Sequence, residues 1–224
     1  MLNFKRMRRI IYCLFALLLS GVLFSMQSDK ARKIVFFGDS ITAGASKENG
    51  FITLLQKEVG SNVELVNAGV GGNKVTDLYL RFEKDVLAEN PTEVVIWIGI
   101  NDVWHQDRGV GTDLRKFPVF YQEMISRLTA KKIQVVLCTP SVIGELNDNS
   151  NHHDGDLNAY SKVVRKLAAD NNCKLIDLRK LFTEYEVKNN PNNEPKGILT
   201  RDGVHLNDKG NRFIADIFKR NLNL

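Results

Sequence analysis

Five short apolar runs, at 34–37, 63–66, 94–98, 135–137 and 175–176, are separated by longer amphipathic stretches over residues 33–224. Several are continuously apolar rather than alternating. That pattern suits strands buried on both faces, as in a parallel sheet covered by helices on either side. Helices are predicted near 51–59, 73–89, 113–130, 156–171 and 208–221. Alternating strand and helix predicts an α/β fold with a doubly wound parallel sheet. About 190 residues suit one domain with a full core, and no repeat or Pro/Gly-rich linker marks a second. The stretches 141–156 and 188–200 are rich in Asn, Asp, Pro and Gly. They are expected as loops at the strand ends, where site walls form.

The chain before the first run has a different character. Lys5, Arg6, Arg8 and Arg9 precede an uncharged apolar stretch at 10–24, and polar residues follow. A basic start and an apolar core of 15 residues describe an export signal. Residues 1–32 are therefore expected to be a signal peptide or an uncleaved signal-anchor, with 33–224 as the folded domain. No small-x-small cleavage site is evident, so both alternatives stand. Either places the domain outside the cytoplasm, secreted, periplasmic or held at the outer side of the membrane. Membrane contact is expected only through that segment.

The charge balance follows from the same segment. The net charge is +5, but residues 1–33 hold seven Lys or Arg against one Asp, leaving 24 basic and 25 acidic residues beyond them. The domain thus has no basic excess to attract phosphates, and nucleic acid is excluded as an expected partner. Cys138 closes one predicted strand and Cys173 opens the next. In neighbouring parallel strands these positions lie at opposite sheet edges, too far apart to bridge, so two free and mostly buried thiols are expected.

Four blocks carry chemistry. Gly38-Asp39-Ser40 sits where the first strand should give way to a helix, with Ser40 either a helix cap or a nucleophile facing the crevice. Asn67-Ala68-Gly69-Val70-Gly71-Gly72-Asn73 follows the second run, and its glycines leave N–H groups unshielded for a developing oxyanion. Lys74 stands where a dinucleotide-binding loop needs a third glycine, so nucleotide binding is not expected. Gly99-Ile100-Asn101-Asp102 ends the third run and offers a side-chain amide to the same oxyanion. Asp202 and His205 are three apart, which lets Asp202 orient one imidazole nitrogen while the other faces a hydroxyl. Trp104 and His105 are read as substrate wall, and Trp97 as core. His152, His153, Asp154 and Asp156 include metal-ligand types, but adjacent histidines tend to diverge. No metal site or cofactor is expected there, and Asp154 or Asp156 is read as the cap of the next helix.

In this order on an α/β pattern, the blocks resemble those of the GDSL-like, or SGNH, hydrolase superfamily, named for Ser, Gly, Asn and His: here Ser40, Gly72, Asn101 and His205. The resemblance covers roughly residues 33–220 and implies a three-layer α/β/α flavodoxin-like sandwich with a five-stranded parallel sheet. It implies an ester hydrolase without metal or organic cofactor, in which Ser40 attacks the carbonyl. His205 would serve as base and then acid, oriented by Asp202. The backbone N–H of Ser40, that of Gly72 and the Asn101 amide would hold the oxyanion. Gly71 is adjacent and is the alternative to Gly72. Ile41 replaces the leucine of the nominal Gly-Asp-Ser-Leu string.

Within the superfamily, Gly-Ile-Asn-Asp-Val-Trp and the compact domain resemble the lysophospholipase-L1-like and carbohydrate acetylesterase branches. No long apolar lid is evident, and Ser46, Lys47, Glu48 and Asn49 are polar. A small acyl group, such as acetyl on a glycan, is therefore favoured over a fatty chain, and a small-molecule or glycan ester is the expected substrate. The rivals are a lysophospholipase or thioesterase, an inactive glycan- or lipid-binding module of the same fold, and an inert envelope scaffold. The sequence carries no sign of oligomeric state.

Overall fold

A computed structural model describes residues 31–224, so the export segment expected over 1–32 lies almost wholly outside the described residues. The compact unit starts at Arg32. In chain order its elements are β1 (Arg32–Gly38), α1 (Ser40–Gly44), α2 (Phe51–Gln56), β2 (Val63–Gly69), α3 (Val75–Asp85), β3 (Glu93–Trp97), α4 (Ile100–Trp104), α5 (Phe117–Ala130), β4 (Gln134–Cys138), α6 (Asp154–Asp170), β5 (Lys174–Ile176), α7 (Leu178–Asn189) and α8 (Asp208–Leu222). The five strands pair in the order β2-β1-β3-β4-β5, and every pairing is parallel. The expected α/β fold with a five-stranded parallel sheet is the one observed.

The continuous apolar runs follow from cover on both faces. Along β1, Phe36 meets Phe51 and Phe218 at ring separations of 5.7 and 5.3 Å. Phe37 points the opposite way and meets Phe82 at 6.3 Å. Alternate side chains of one strand thus enter two different apolar layers, and all five rings are buried. Trp97 joins the first layer, 6.0 Å from Phe51, and is core as expected. Cys138 is buried in β4 and Cys173 half-buried before β5. Burial raises both thiols above their ordinary range.

Four local expectations need correcting. First, β2 runs on to Gly69, so Asn67-Ala68-Gly69 is strand rather than the loop after it. Second, Asp39, not Ser40, caps α1: its carboxylate accepts from the Ile41 N–H at 2.9 Å, and Ser40 is the first helical residue. Third, neither Asp154 nor Asp156 caps α6. His153 holds that position, because Asp154 is drawn inward to Arg179 at 2.6 Å. Fourth, the twelve-residue α7 was not anticipated. Its buried positions are Leu178, Arg179, Phe182 and Glu186, and two charged residues among four break the apolar stripe by which a helix is recognised.

The polar stretches 141–156 and 188–200 fold onto each other instead of walling the cleft. The buried Glu145 carboxylate accepts from the N–H groups of Ile198, Leu199 and Thr200 at 2.8, 2.7 and 2.9 Å. Asn190 Nδ2 donates to the carbonyls of Glu145 and Glu194 at 2.7 and 2.8 Å. These contacts hold the chain just ahead of Asp202. Glu145→Ala would leave three N–H groups without their acceptor, so a loss of about 3 kcal/mol or more is expected in urea unfolding. Glu145→Gln, which keeps one acceptor oxygen, should lose less.

Glu186 is buried in α7 with Oε1 lacking any partner. Burial, reinforced by the charge of Glu145, pushes its carboxyl up to about 8. The folded state therefore binds a proton that the unfolded chain has released. Glu186 contributes stability fully below about pH 4.5, and that contribution is lost as pH rises toward about 8. Urea unfolding at several pH values should show Glu186→Gln flattening the decline between pH 5 and 9, and an unchanged slope would contradict this account.

Candidate active site

The sheet brings the four blocks to one edge. Gly38 pairs with Gly69 on one side and with Trp97 on the other, and Trp97 pairs with Cys138. The strand ends thus form a row, and Ser40, the 70–73 turn and α4 all start just beyond it. This edge includes the point where the strand order reverses direction, between β1 and β3. At Gly38 a Cβ would stand 2.2 Å from Thr42 Oγ1 and 2.5 Å from the Trp97 carbonyl oxygen. Glycine is needed there to bring α1 so close to the sheet.

Ser40 Oγ lies 2.9 Å from His205 Nε2 across a sequence separation of 165 residues. His205 Nδ1 lies 2.8 Å from Asp202 Oδ2. The other carboxylate oxygen, Oδ1, accepts from the backbone N–H groups of His205 and Val204 at 2.8 and 3.1 Å. Partial burial works to raise the Asp202 carboxyl, but the His205 N–H, the imidazole and the Val204 N–H outweigh it. They hold Asp202 below the usual carboxylate range. It is thus anionic at neutral pH and accepts from Nδ1–H, which leaves Nε2 unprotonated toward the serine.

The glycine block forms a tight turn. The Asn73 N–H reaches the Val70 carbonyl at 3.3 Å, and among the described residues the Gly71 and Gly72 N–H groups donate to no backbone carbonyl. Gly72 has φ of +77°, a left-handed conformation that glycine adopts without strain. Gly71 lines the cleft with Ser40 and His205. The buried Asn101 amide donates one of its two hydrogens to the Asn73 carbonyl at 3.0 Å, so it braces this turn from α4. The neighbouring Asp102 carboxylate accepts from the Val75 N–H at 3.0 and 3.2 Å.

Two buried acids lie beneath the site. Burial raises Asp39 to about 7, with the Ile41 N–H opposing and the Asp102 charge adding to the rise. Burial likewise raises Asp102 to about 6 against its hydrogen bonds. Both serve as acceptors for helix-start N–H groups, and neither is among the residues lining the cleft.

That cleft, of about 460 Å³, is lined by Ser40, Gly71 and His205, and by polar Lys47, Glu48, Asn49, Arg201, Asp208 and Asn211. Trp104 and His105, expected as substrate wall, are half-buried at the end of α4 and outside that lining. Burial and the nearby Lys74 and Arg108 lower the His105 imidazole, keeping it neutral.

Sequence reasoning missed Arg81. Its guanidinium donates to the carbonyls of Gly38 and Ala68, both at 2.8 Å, to Asn73 Oδ1 at 2.6 Å, and to Asp85 at 2.8 Å. It also lies 4.5 Å over the Phe37 ring. One side chain thereby joins the ends of β1 and β2 to the glycine turn. Its signal in sequence is only an arginine on an amphipathic helix, which ordinarily reads as exposed.

The sequence model of the GDSL-like lipase/acylhydrolase family matches residues 36–213. The crystal structure of an acetyl xylan esterase, AlAXEase, is 56% identical, with a TM-score of 0.82, covering 84% of this chain and 98% of that one. An acetylxylan esterase of Geobacillus stearothermophilus is 30% identical, the alignment covering 88% of this chain and 96% of the relative. An uncharacterized lipoprotein, YqeF, of Bacillus subtilis (strain 168) is 26% identical over 82% of this chain and 86% of its own length. The match over most of the domain and the shared fold establish that this chain is an ester hydrolase belonging to the GDSL-like lipase/acylhydrolase, or SGNH, family.

Proposed function

We propose that this enzyme removes acetyl groups from xylan and its oligosaccharides through an acyl-enzyme on Ser40. The observation that carries the proposal is the unbroken relay from Ser40 Oγ to His205 at 2.9 Å and on to Asp202 at 2.8 Å, in a chain 56% identical to an acetyl xylan esterase. The cleft supports a sugar substrate. Lys47, Glu48, Asn49, Arg201, Asp208 and Asn211 offer donors and acceptors for hydroxyls, and the apolar Ile41 and Leu206 beside them are each largely buried. A long acyl chain would find little to bury against.

Ser40 Oγ attacks the acetyl carbonyl carbon as its proton passes to His205 Nε2. The carbonyl oxygen becomes an oxyanion held by the N–H groups of Ser40 and of Gly72 or Gly71, and by the free hydrogen of the Asn101 amide. Collapse breaks the ester bond, and His205 passes its proton to the departing sugar oxygen, which leaves as a hydroxyl. Water activated by the same imidazole then releases acetate. Asp202 keeps the imidazole oriented and steadies its charged form.

The reading extends to location. The basic start and apolar 10–24 run, together with similarity to a protein named a lipoprotein, support export, where polymeric xylan is found in contact with a cell.

Ser40→Ala should abolish hydrolysis of p-nitrophenyl acetate and labelling by a fluorophosphonate while leaving the circular dichroism unchanged. His205→Ala should cost several powers of ten in kcat. Asn101→Ala should cost about 10²–10³ in kcat. Acetylated xylooligosaccharides should be turned over with a higher kcat/KM than lysophospholipid or p-nitrophenyl esters of long acids. Faster turnover of long chains would overturn the acetyl reading, and an unlabelled wild-type serine would overturn the relay itself.

A further inference from the structure

His152 and His153 do not diverge. Their rings meet edge-on with centroids 4.6 Å apart, and both face the carboxylate of Asp107, which arrives from the short helical turn His105–Arg108. His153 Nε2 lies 3.1 Å from Asp107 Oδ2, and His152 Nε2 lies 3.9 Å from Oδ1. One ligand atom from each of the three residues falls within 4.8 Å of the others. A tetrahedral zinc ion, with bonds of about 2.0–2.2 Å, spaces its ligand atoms about 3.3–3.6 Å apart. To reach that spacing the trio would draw together by rotation of the exposed His152 and Asp107 side chains toward His153.

We propose that Asp107, His152 and His153 bind a divalent transition cation of the zinc class, with water completing the shell. The donor set selects the ion: two imidazoles and one carboxylate suit zinc and its neighbours, whereas calcium and magnesium take all-oxygen shells. Burial is graded across the site. The His153 side chain is 7% exposed and gives a fixed wall, while His152 at 82% and Asp107 at 51% leave an entry path and room for water. Asp154, a candidate ligand from sequence, is instead held by Arg179 and Asn151.

Both sides are positioned by contacts that do not involve the ligands. Gln106, next to Asp107, donates to the Tyr160 hydroxyl at 2.7 Å, and that hydroxyl donates to the Thr112 carbonyl. Asn151, next to His152, donates to the Leu146 carbonyl at 2.8 Å and to Asp154 at 3.0 Å. The cation would clamp the α4–α5 connection to the head of α6. Its role is structural, since none of the three residues lines the Ser40 cleft.

The test uses the full chain, stripped with chelator and dialysed, then titrated with cobalt(II) and with zinc(II). One equivalent of cobalt should give the intense visible bands of tetrahedral coordination. Zinc at about a hundredfold over its Kd should raise the thermal midpoint by roughly 5–10 °C. His152→Ala and Asp107→Asn should each abolish the bands and the shift while ester hydrolysis by the stripped protein stays unchanged. Two outcomes would overturn the proposal: a weak octahedral cobalt spectrum with no saturable shift, or bands that persist in both variants. The first would leave the trio an ordinary surface ion pair, and the second would place the metal at His105 or His205.

Discussion

The structure depends on β1 pairing in parallel with both β2 and β3 so that Gly38, Gly69 and Trp97 end in one row. In a parallel sheet every carboxyl end lies at the same edge, and chain leaving one strand starts beside chain leaving another. That alignment brings Ser40, the glycine turn and Asn101 together without any of them being near in sequence. The Arg81 guanidinium reinforces it, since a single planar fork spans the carbonyls at the ends of β1 and β2 and the turn beyond. The constraint is backbone geometry first and side-chain chemistry second.

Acids are buried both beneath the site, at Asp39 and Asp102, and away from it in α7, at Glu186. Asp39, Asp102 and Glu186 are all raised by burial, while Asp202, with more solvent and three nearby donors, is lowered. The first three cap helix starts or fill α7, where a proton is tolerable, and the acid beside His205 is kept near water.

Much of this was legible in the sequence for physical reasons. Continuous apolar runs report strands covered on both faces, and the order of the blocks reports strand ends sharing an edge. Helix α7 was hidden because Arg179 and Glu186 occupy its buried face. Arg81 and Glu145 were hidden because their work is done on backbone groups of distant segments, which no local spacing records. The same holds for Asp107, whose meeting with His152 and His153 depends on how two loops pack. The export signal expected over 1–32 lies almost wholly outside the described residues.

Asp202 and His205 belong to one short turn, and that turn follows directly on the segment secured by Glu145. His205 and Asp202 therefore travel together, and their mutual geometry is a local property of four residues. The one distance that the whole fold must set is that between this pair and the helix bearing Ser40. In mechanical terms the chain of hydrogen bonds from Ser40 to Asp202 is a lock of two parts, assembled by the seating of the C-terminal quarter of the chain against the first strand. A chain cut short before α8 would still contain Asp202 and His205, yet without Phe218 against Phe36 and Phe51 it would lose the seating that closes the lock.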